Sequence, residues 1–182
     1  GRDTIGGAGG CGKLRILRVR RVLRCDGNSV QNSGSCAFLT THHDRLTRLS
    51  RSRLFRGMSP EELNLVMERG TILHIPKGDT ICSEGEPGSY VFVILHGSVS
   101  IYRKSKMIAK CKDYDAFGEM SVLNGRPRSA TAKATTQVEL LALDEMEVNK
   151  ILGSDIAVRF LLNIIQVLSE RLEVGNTWIA TS

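Results

Sequence analysis

The sequence holds no apolar run near the roughly 20 residues that a membrane-spanning helix needs. Its start lacks the uninterrupted apolar core of a secretory signal. The five cysteines (11, 25, 36, 82 and 111) are odd in number, widely spread and never in a Cys-x-x-Cys pair. A disulfide framework is therefore not expected, and a reducing, cytoplasmic compartment fits. No Ser/His/Asp or Cys/His arrangement can be defended as catalytic. His42 and His43 with Cys36 lack a fourth zinc ligand. His74 and His96 lie within strand patterns and read as structural. The expectation is a protein that is not an enzyme and that carries no metal or cofactor. At 182 residues, 41% of them hydrophobic and 24% charged, the chain has room for one soluble domain and an extension.

The net charge of +6 is misleading as an average. Residues 1–56 carry 12 Lys/Arg against 3 Asp/Glu, whereas 57–182 carry 13 against 16. The basicity belongs to an arm, and the domain is mildly acidic. Gly7–Lys13 nearly matches a nucleotide P-loop, but Leu14 stands where that loop needs Ser or Thr for magnesium. Arg15, Arg18, Arg21 and Arg24 recur every third residue among apolar side chains, in a pattern that resembles a channel voltage sensor. The stretch is about ten residues, too short to span a bilayer. It reads as a solvated basic arm suited to an anionic surface, whether lipid, nucleic acid or acidic protein. It has no aromatic side chains for stacking on single strands. Arg20-Arg21-Val22-Leu23 fits a kinase pseudosubstrate poorly, and 45–50 carries a short basophilic-kinase match of a kind common by chance.

Along the chain, residues 1–10 are glycine-rich and 26–44 read as linker, with a short helix after Thr41 running through Leu46, Leu49 and Leu54. A firmer helix starts at Ser59, a good N-cap. Pro60 takes its first position, Glu62 completes a capping box, Leu63, Val66 and Met67 share a face, and Gly70 ends it. From 71 to 143 the signals become short strands and turns. Residues 76–79 form a turn. The run 90–95 is apolar on both faces and reads as a central strand, and Val99 and Ile101 share a face. Ala130, Ala132 and Ala134 face one way, with Thr131, Lys133 and Thr135 opposite, and 138–143 closes the β part. Such spacing suggests a β-roll. Asp144, with Glu147 three residues on, caps a helix whose face is Val148, Ile151 and Leu152. Ser154 then caps a last helix, 154–174. There Arg159, Asn163, Gln166, Glu170 and Glu173 form one polar stripe on an otherwise apolar cylinder. One side should pack on the roll. The other is covered either by preceding helices or by the same helix of a second subunit.

The most informative run is Phe117-Gly118-Glu119-Met120-Ser121, followed within the same eighteen residues by Arg128-Ser129-Ala130. Gly118 and Gly125 permit turns closed to other residues. Glu119 offers acceptors suited to a ribose hydroxyl, and Arg128 offers a planar fork of donors suited to a phosphate. One possible helical turn lies between them, whose free amides would add an anion site. The run resembles the phosphate-binding cassette of the cyclic nucleotide-binding family of kinase regulatory subunits, gated channels and catabolite-activator-type proteins. The resemblance extends over about 54–174. It takes in the helix-forming stretch 54–63, the glycine-rich Glu84-Gly85-Glu86-Pro87-Gly88 and the apolar stretch 90–97. Ser89 stands where the family usually has Asp.

The resemblance implies a mainly β domain with flanking helices, an eight-stranded double-stranded β-helix of jelly-roll type. It implies that Glu119 binds the ribose 2′-hydroxyl and Arg128 the phosphate. It implies a ligand, cAMP or less readily cGMP, and a signal relayed by movement of C-terminal helices. Ser129 follows Arg128 where the family often has Ala or Thr, and its hydroxyl suits a guanine amino group or a phosphate oxygen equally. A base cap is expected on or after the last helix, at Arg171 or Trp178. The expected division is an arm at 1–50, the roll with its first helix at 51–143, and hinge and lid helices at 144–182. Expected partners are the nucleotide, a second copy through 154–174, an effector protein, and an anionic surface for the arm. No output domain is visible, since no helix-turn-helix, pore or kinase motif occurs. Two other readings stand beside this one, a non-binding dimerisation scaffold and a cytoplasmic fragment of a cation channel.

Overall fold

The computed structural model describes residues 40–153 and 156–180, with side chains as far as Glu173. The glycine-rich start, the P-loop-like run, the basic stretch 13–24, most of the linker, Ser154 and the side chain of Trp178 lie outside the described residues.

Eight strands form two antiparallel sheets. In one, β1 (Thr71–Ile75), β8 (Val138–Asp144), β3 (Tyr90–His96) and β6 (Ala116–Phe117) lie in that order. In the other the order is β2 (Thr80–Cys82), β7 (Thr131–Ala134), β4 (Val99–Arg103) and β5 (Lys106–Cys111). The expected β-roll is present. Strands β3 and β8 are central and buried on both faces, as the apolar runs Val91–Leu95 and Leu140–Leu143 require, and the buried Glu139 of β8 is paired with Arg45. Because side chains alternate, each strand feeds two cores. Phe92, Ile94, Leu140 and Ala142 fill the roll with Ile81, Val99, Ala132 and Ala134. Val91, Val93, Leu95, Leu141 and Leu143 point the other way, into a helical layer.

That layer holds α1 (His42–Ser50), α2 (Pro60–Arg69), α4 (Glu145–Leu152) and α5 (Ala157–Ala180). Helix α2 begins as expected. Ser59 Oγ accepts from the Glu62 backbone N–H, and the Glu62 carboxylate accepts from that of Ser59 at 2.6 Å. Asp144 likewise caps α4, accepting from Glu147 N–H at 2.9 Å. The Glu147 side chain does not reciprocate, because Arg69 and Lys150 hold it at 3.0 and 2.5 Å.

Three features depart from the sequence reading. Helix α1 stops at Ser50, and the chain forms a separate 3-10 turn, Arg53–Phe55. Leu49 and Leu54 are five residues apart, about 140° around a straight helix, so only a break lets both reach the same core. Strands β5 and β6 have no sequence signal of their own, since β5 is an edge strand exposed from Lys106 to Lys110. Helix α5 reaches Ala180, so Trp178 belongs to the helix and does not follow it. Its polar stripe turns toward the 3-10 turn. Asn163 donates to the Leu54 and Arg56 carbonyls at 3.1 and 3.0 Å, Arg159 bonds Glu62, and Glu170 bonds Arg53. Phe160 and Ile164 enter the core, and Val158, Leu162, Ile165 and Leu172 stay exposed. Among the described residues, the other helices therefore cover one apolar face of α5 and leave another exposed.

Candidate functional site: a cavity between the β-roll and the last helix

A cavity of about 730 Å³ opens between β5, the β6–β7 connection and α5. Phe117, Gly118, Glu119, Met120, Ser121, Arg128, Ser129 and Ala130 all line it, and Arg171 reaches it from α5. The residues expected from one short stretch of sequence thus converge with one from the far end of the chain.

Local backbone chemistry builds this convergence. Gly118 has φ +84° and starts a short helix, α3 (Glu119–Asn124). A Cβ on Gly118 would stand 2.4 Å from Arg128 Nη1 and 2.9 Å from the Tyr90 carbonyl oxygen, so glycine is needed twice over, for its φ and for its size. The stretch 84–88 meets Arg128 through a reciprocal pair of backbone bonds. Gly85 N–H donates to the Arg128 carbonyl, and Arg128 N–H donates to the Glu86 carbonyl, both at 2.8 Å. Gly88 lets this hairpin lie close, because a Cβ there would come within 2.5 Å of Ser121 Cβ and 2.9 Å of Arg128 Cδ.

Arg128 is only 6% exposed. Its Nη1 donates to the Gly118 carbonyl at 3.0 Å and its Nη2 to that of Tyr90 at 2.8 Å, with the guanidinium 5.3 Å from the Phe92 ring centroid. Burial holds its pKa below the ordinary arginine value, opposed by the Cys82 thiol and by the Glu119 and Glu86 carboxylates. A guanidinium remains charged through such a shift. Glu119 is 4% exposed. Its Oε1 accepts from Arg171 Nη1 at 2.6 Å, and Arg171 Nη2 donates to the Ala116 carbonyl. Arg171 therefore stands on the carboxylate. Two buried polar atoms of this carboxylate and guanidinium lack a partner among the described residues: Glu119 Oε2 and Arg128 Nε.

The rest of the wall escaped the sequence reading. Ile101, Met107, Ala109, Cys111, Cys82 and Val167 supply an apolar lining. Burial pushes the Cys111 thiol up to about 11 and raises that of Cys82, so both stay protonated and behave as small hydrophobes. At the rim, Arg53 bonds both Asp115, at 3.1 Å, and Glu170, which ties the 3-10 turn to the cavity mouth and to α5.

An eight-stranded β-roll with a buried carboxylate and a buried guanidinium in one cavity has the form of a small-ligand-binding domain. Residues 72–155 match the family model described as the cyclic nucleotide-binding domain. The chain carries a domain of the cyclic nucleotide-binding family. It is 29% identical over 139 residues to the CRP-like cAMP-activated global transcriptional regulator of Mycobacterium tuberculosis, covering 72% of this chain and 60% of that protein. It is 34% identical over 101 residues to a cyclic nucleotide-gated potassium channel of Mesorhizobium japonicum, covering 56% of this chain and 28% of the channel. Among solved structures, the Thermus thermophilus catabolite activator protein superposes with TM-score 0.64 at 27% identity, covering 71% of this chain and 62% of the other. A domain titled PKAR CBD2, bound to Sp-2Cl-cAMPS, gives 0.56 at 29%, covering 70% and 91%. The chain spans 60% or less of the length of these curated relatives. No single helix among the described residues is long and apolar enough to cross a membrane.

Proposed function

We propose that this domain is a regulatory sensor that binds a cyclic purine nucleotide, cAMP in preference to cGMP, and performs no catalysis. One observation carries the reading. The two buried polar atoms of the cavity that lack partners belong to a carboxylate and a guanidinium, which suit a ribose hydroxyl and a phosphate. Glu119 Oε2 would accept from the 2′-hydroxyl, and Arg128 would give its donors to the phosphate. Phe117, Gly118, Met120, Ser121, Ser129 and Ala130 shape the turn around them. The base would lie against Ile101, Met107, Cys111 and Val167. A guanine edge carries donors at both N1 and N2, one donor group more than the N6 amino group of adenine, and that group needs an acceptor. The rim carboxylates Asp115 and Glu170 are engaged by Arg53, which leaves the Ser129 hydroxyl as a poor substitute and supports adenine.

The relay follows from shared backbone. Arg128 holds the Tyr90 carbonyl, Tyr90 lies opposite Asp144 in the sheet, Asp144 caps α4, and Glu145 N–H donates to the Ser89 carbonyl at 2.8 Å. A phosphate that draws Arg128 away from Tyr90 would loosen the start of α4 and so shift α5. In this reading 51–143 senses, 144–182 responds, and the arm is the chain before α1, since α1 itself packs into the helical layer. The bare apolar face of α5 supports a second copy or an effector protein as the partner that receives the signal.

Calorimetry with cAMP and cGMP, on the wild type and Arg128→Ala, tests the reading. The expected result is binding of cAMP at micromolar Kd or tighter, about 8 kcal/mol or more, weaker binding of cGMP, and loss of both in the variant. Folded protein that binds neither nucleotide would leave the roll as a scaffold.

A further inference from the structure

The β4–β5 hairpin and its neighbour β7 carry more positive charge than the nucleotide cavity accounts for, since only Lys106 and Lys110 of their cations line it, beside Met107 and Ile108. Arg103, Lys104, Lys106, Lys110, Lys112 and Lys133 are all exposed, and residues 103–112 contain no acidic side chain. The domain is acidic overall, so this positive charge is concentrated on one sheet. Arg45, Arg53, Arg69, Lys150, Arg159 and Arg171 each pair with a carboxylate elsewhere in the fold. None of the six hairpin cations does so among the described residues.

The hairpin forms in spite of unfavourable local chemistry. Arg103 lies directly opposite Lys106 in register, a like-charge cross-strand pair that opposes hairpin formation. Lys104 and Ser105 form the turn with φ +47° and +65°, a left-handed pair that Asn-Gly would make with less strain. Glu84 holds this tip by accepting from the Lys104 backbone N–H at 2.8 Å. One row of the sheet runs Thr80–Lys133–Ser100–Lys110, with two lysines flanking a small serine. The next row sets Thr131, Tyr102 and Met107 side by side. Ile108 is the extra residue of a bulge in β5. It is 55% exposed, and Met107 is 56% exposed.

We infer that this sheet face and its edge strand form a docking surface for an anionic lipid bilayer. Five of the six cations are lysines, compact hydrated charges without the planar fork that favours nucleic-acid or carboxylate recognition. They surround a tyrosine and two exposed apolar side chains, the combination that settles at a headgroup boundary. Anionic leaflets attract such clusters additively, one lysine at a time. The same strand walls the nucleotide cavity, so a docked bilayer would lie beside the cavity mouth. The inference does not depend on nucleotide binding.

The test is co-sedimentation of the full chain with vesicles of phosphatidylcholine alone and with about one-third phosphatidylserine. The variant combines Lys104→Asn, Lys110→Ser and Lys133→Ser. Asn suits the left-handed position, and all three changes relieve repulsion. A matched melting curve confirms the fold. A second pair, Lys112→Gln with Lys133→Gln, gives an independent check should the first variant unfold. The expected result is binding to the anionic vesicles only, weakened at raised salt and at least about tenfold weaker in the variant. Equal binding by folded variant and wild type would assign the lipid contact to the arm at 13–24 and overturn the inference. So would binding of a short DNA duplex in place of vesicles, or no vesicle binding at all.

Discussion

Replacing Arg171 with Ala would show whether the last helix reads the ribose. The carboxylate of Glu119 is shared by design of the fold: Arg171 holds Oε1 at 2.6 Å, and Oε2 is left without a partner. If Oε2 accepts the 2′-hydroxyl, that charge-assisted bond contributes about 1.5–3 kcal/mol. The wild type should then favour cAMP over its 2′-deoxy analogue by about 10- to 150-fold. Arg171 fixes the orientation of the carboxylate, and contacting groups of this kind couple by about 0.5–3 kcal/mol. Its side chain is 41% exposed, so screening trims the upper end to about 2 kcal/mol. In Arg171→Ala the ribose discrimination should fall by about two- to thirtyfold. Affinity for the 2′-deoxy analogue should change less than affinity for cAMP. Competition calorimetry with both ligands on both proteins closes the cycle. Unchanged discrimination would refute the idea that helix and ribose share one carboxylate. Tighter cAMP binding by the variant would mean that Arg171 competes with the ribose.

Three further outcomes are expected. Gly118→Ala should destabilise the fold by about 1–3 kcal/mol in urea titrations, because it combines a left-handed φ with a Cβ 2.4 Å from Arg128 Nη1. It should also abolish nucleotide binding at concentrations where the protein remains folded. Asn163→Ala removes two bonds to the Leu54 and Arg56 carbonyls. It should cost about 1–3 kcal/mol, and hydrogen exchange should rise in α5 while β3 and β8 stay protected. Leu162→Glu with Ile165→Glu should leave the monomer stable, since both side chains are about 60% exposed. In sedimentation velocity it should convert a wild-type dimer to monomer, and a wild-type monomer would refute α5 as a dimer contact.

Legibility in this chain tracks how local the physics is. The capping box at Ser59 and Glu62, the cap at Asp144 and the two-faced apolar run of β3 are each set by residues within a few positions of one another, and each stands where the sequence places it. The cassette is legible for the same reason. Gly118, Glu119 and Arg128 sit on one short loop, and the hairpin at 84–88 that clamps it carries its own glycines. What stays hidden is set by partners far along the chain. β5 is a strand only because β4 pairs with it, and its own pattern of lysines and small apolar residues alternates with nothing. Arg171 reads as a candidate base cap, and only the fold shows it on the Glu119 carboxylate and the Ala116 carbonyl. Asn163 reads as part of a polar stripe facing outward until the break after α1 presents two carbonyls to it. For Arg171 and Asn163 the residue type is compatible with either environment, and the choice is made by a contact more than 50 positions away, whereas β5 is decided by its hairpin neighbour. The loop proposed to hold the ligand can therefore be read from the chain, whereas the contact of α5 with Glu119 is set only by the fold.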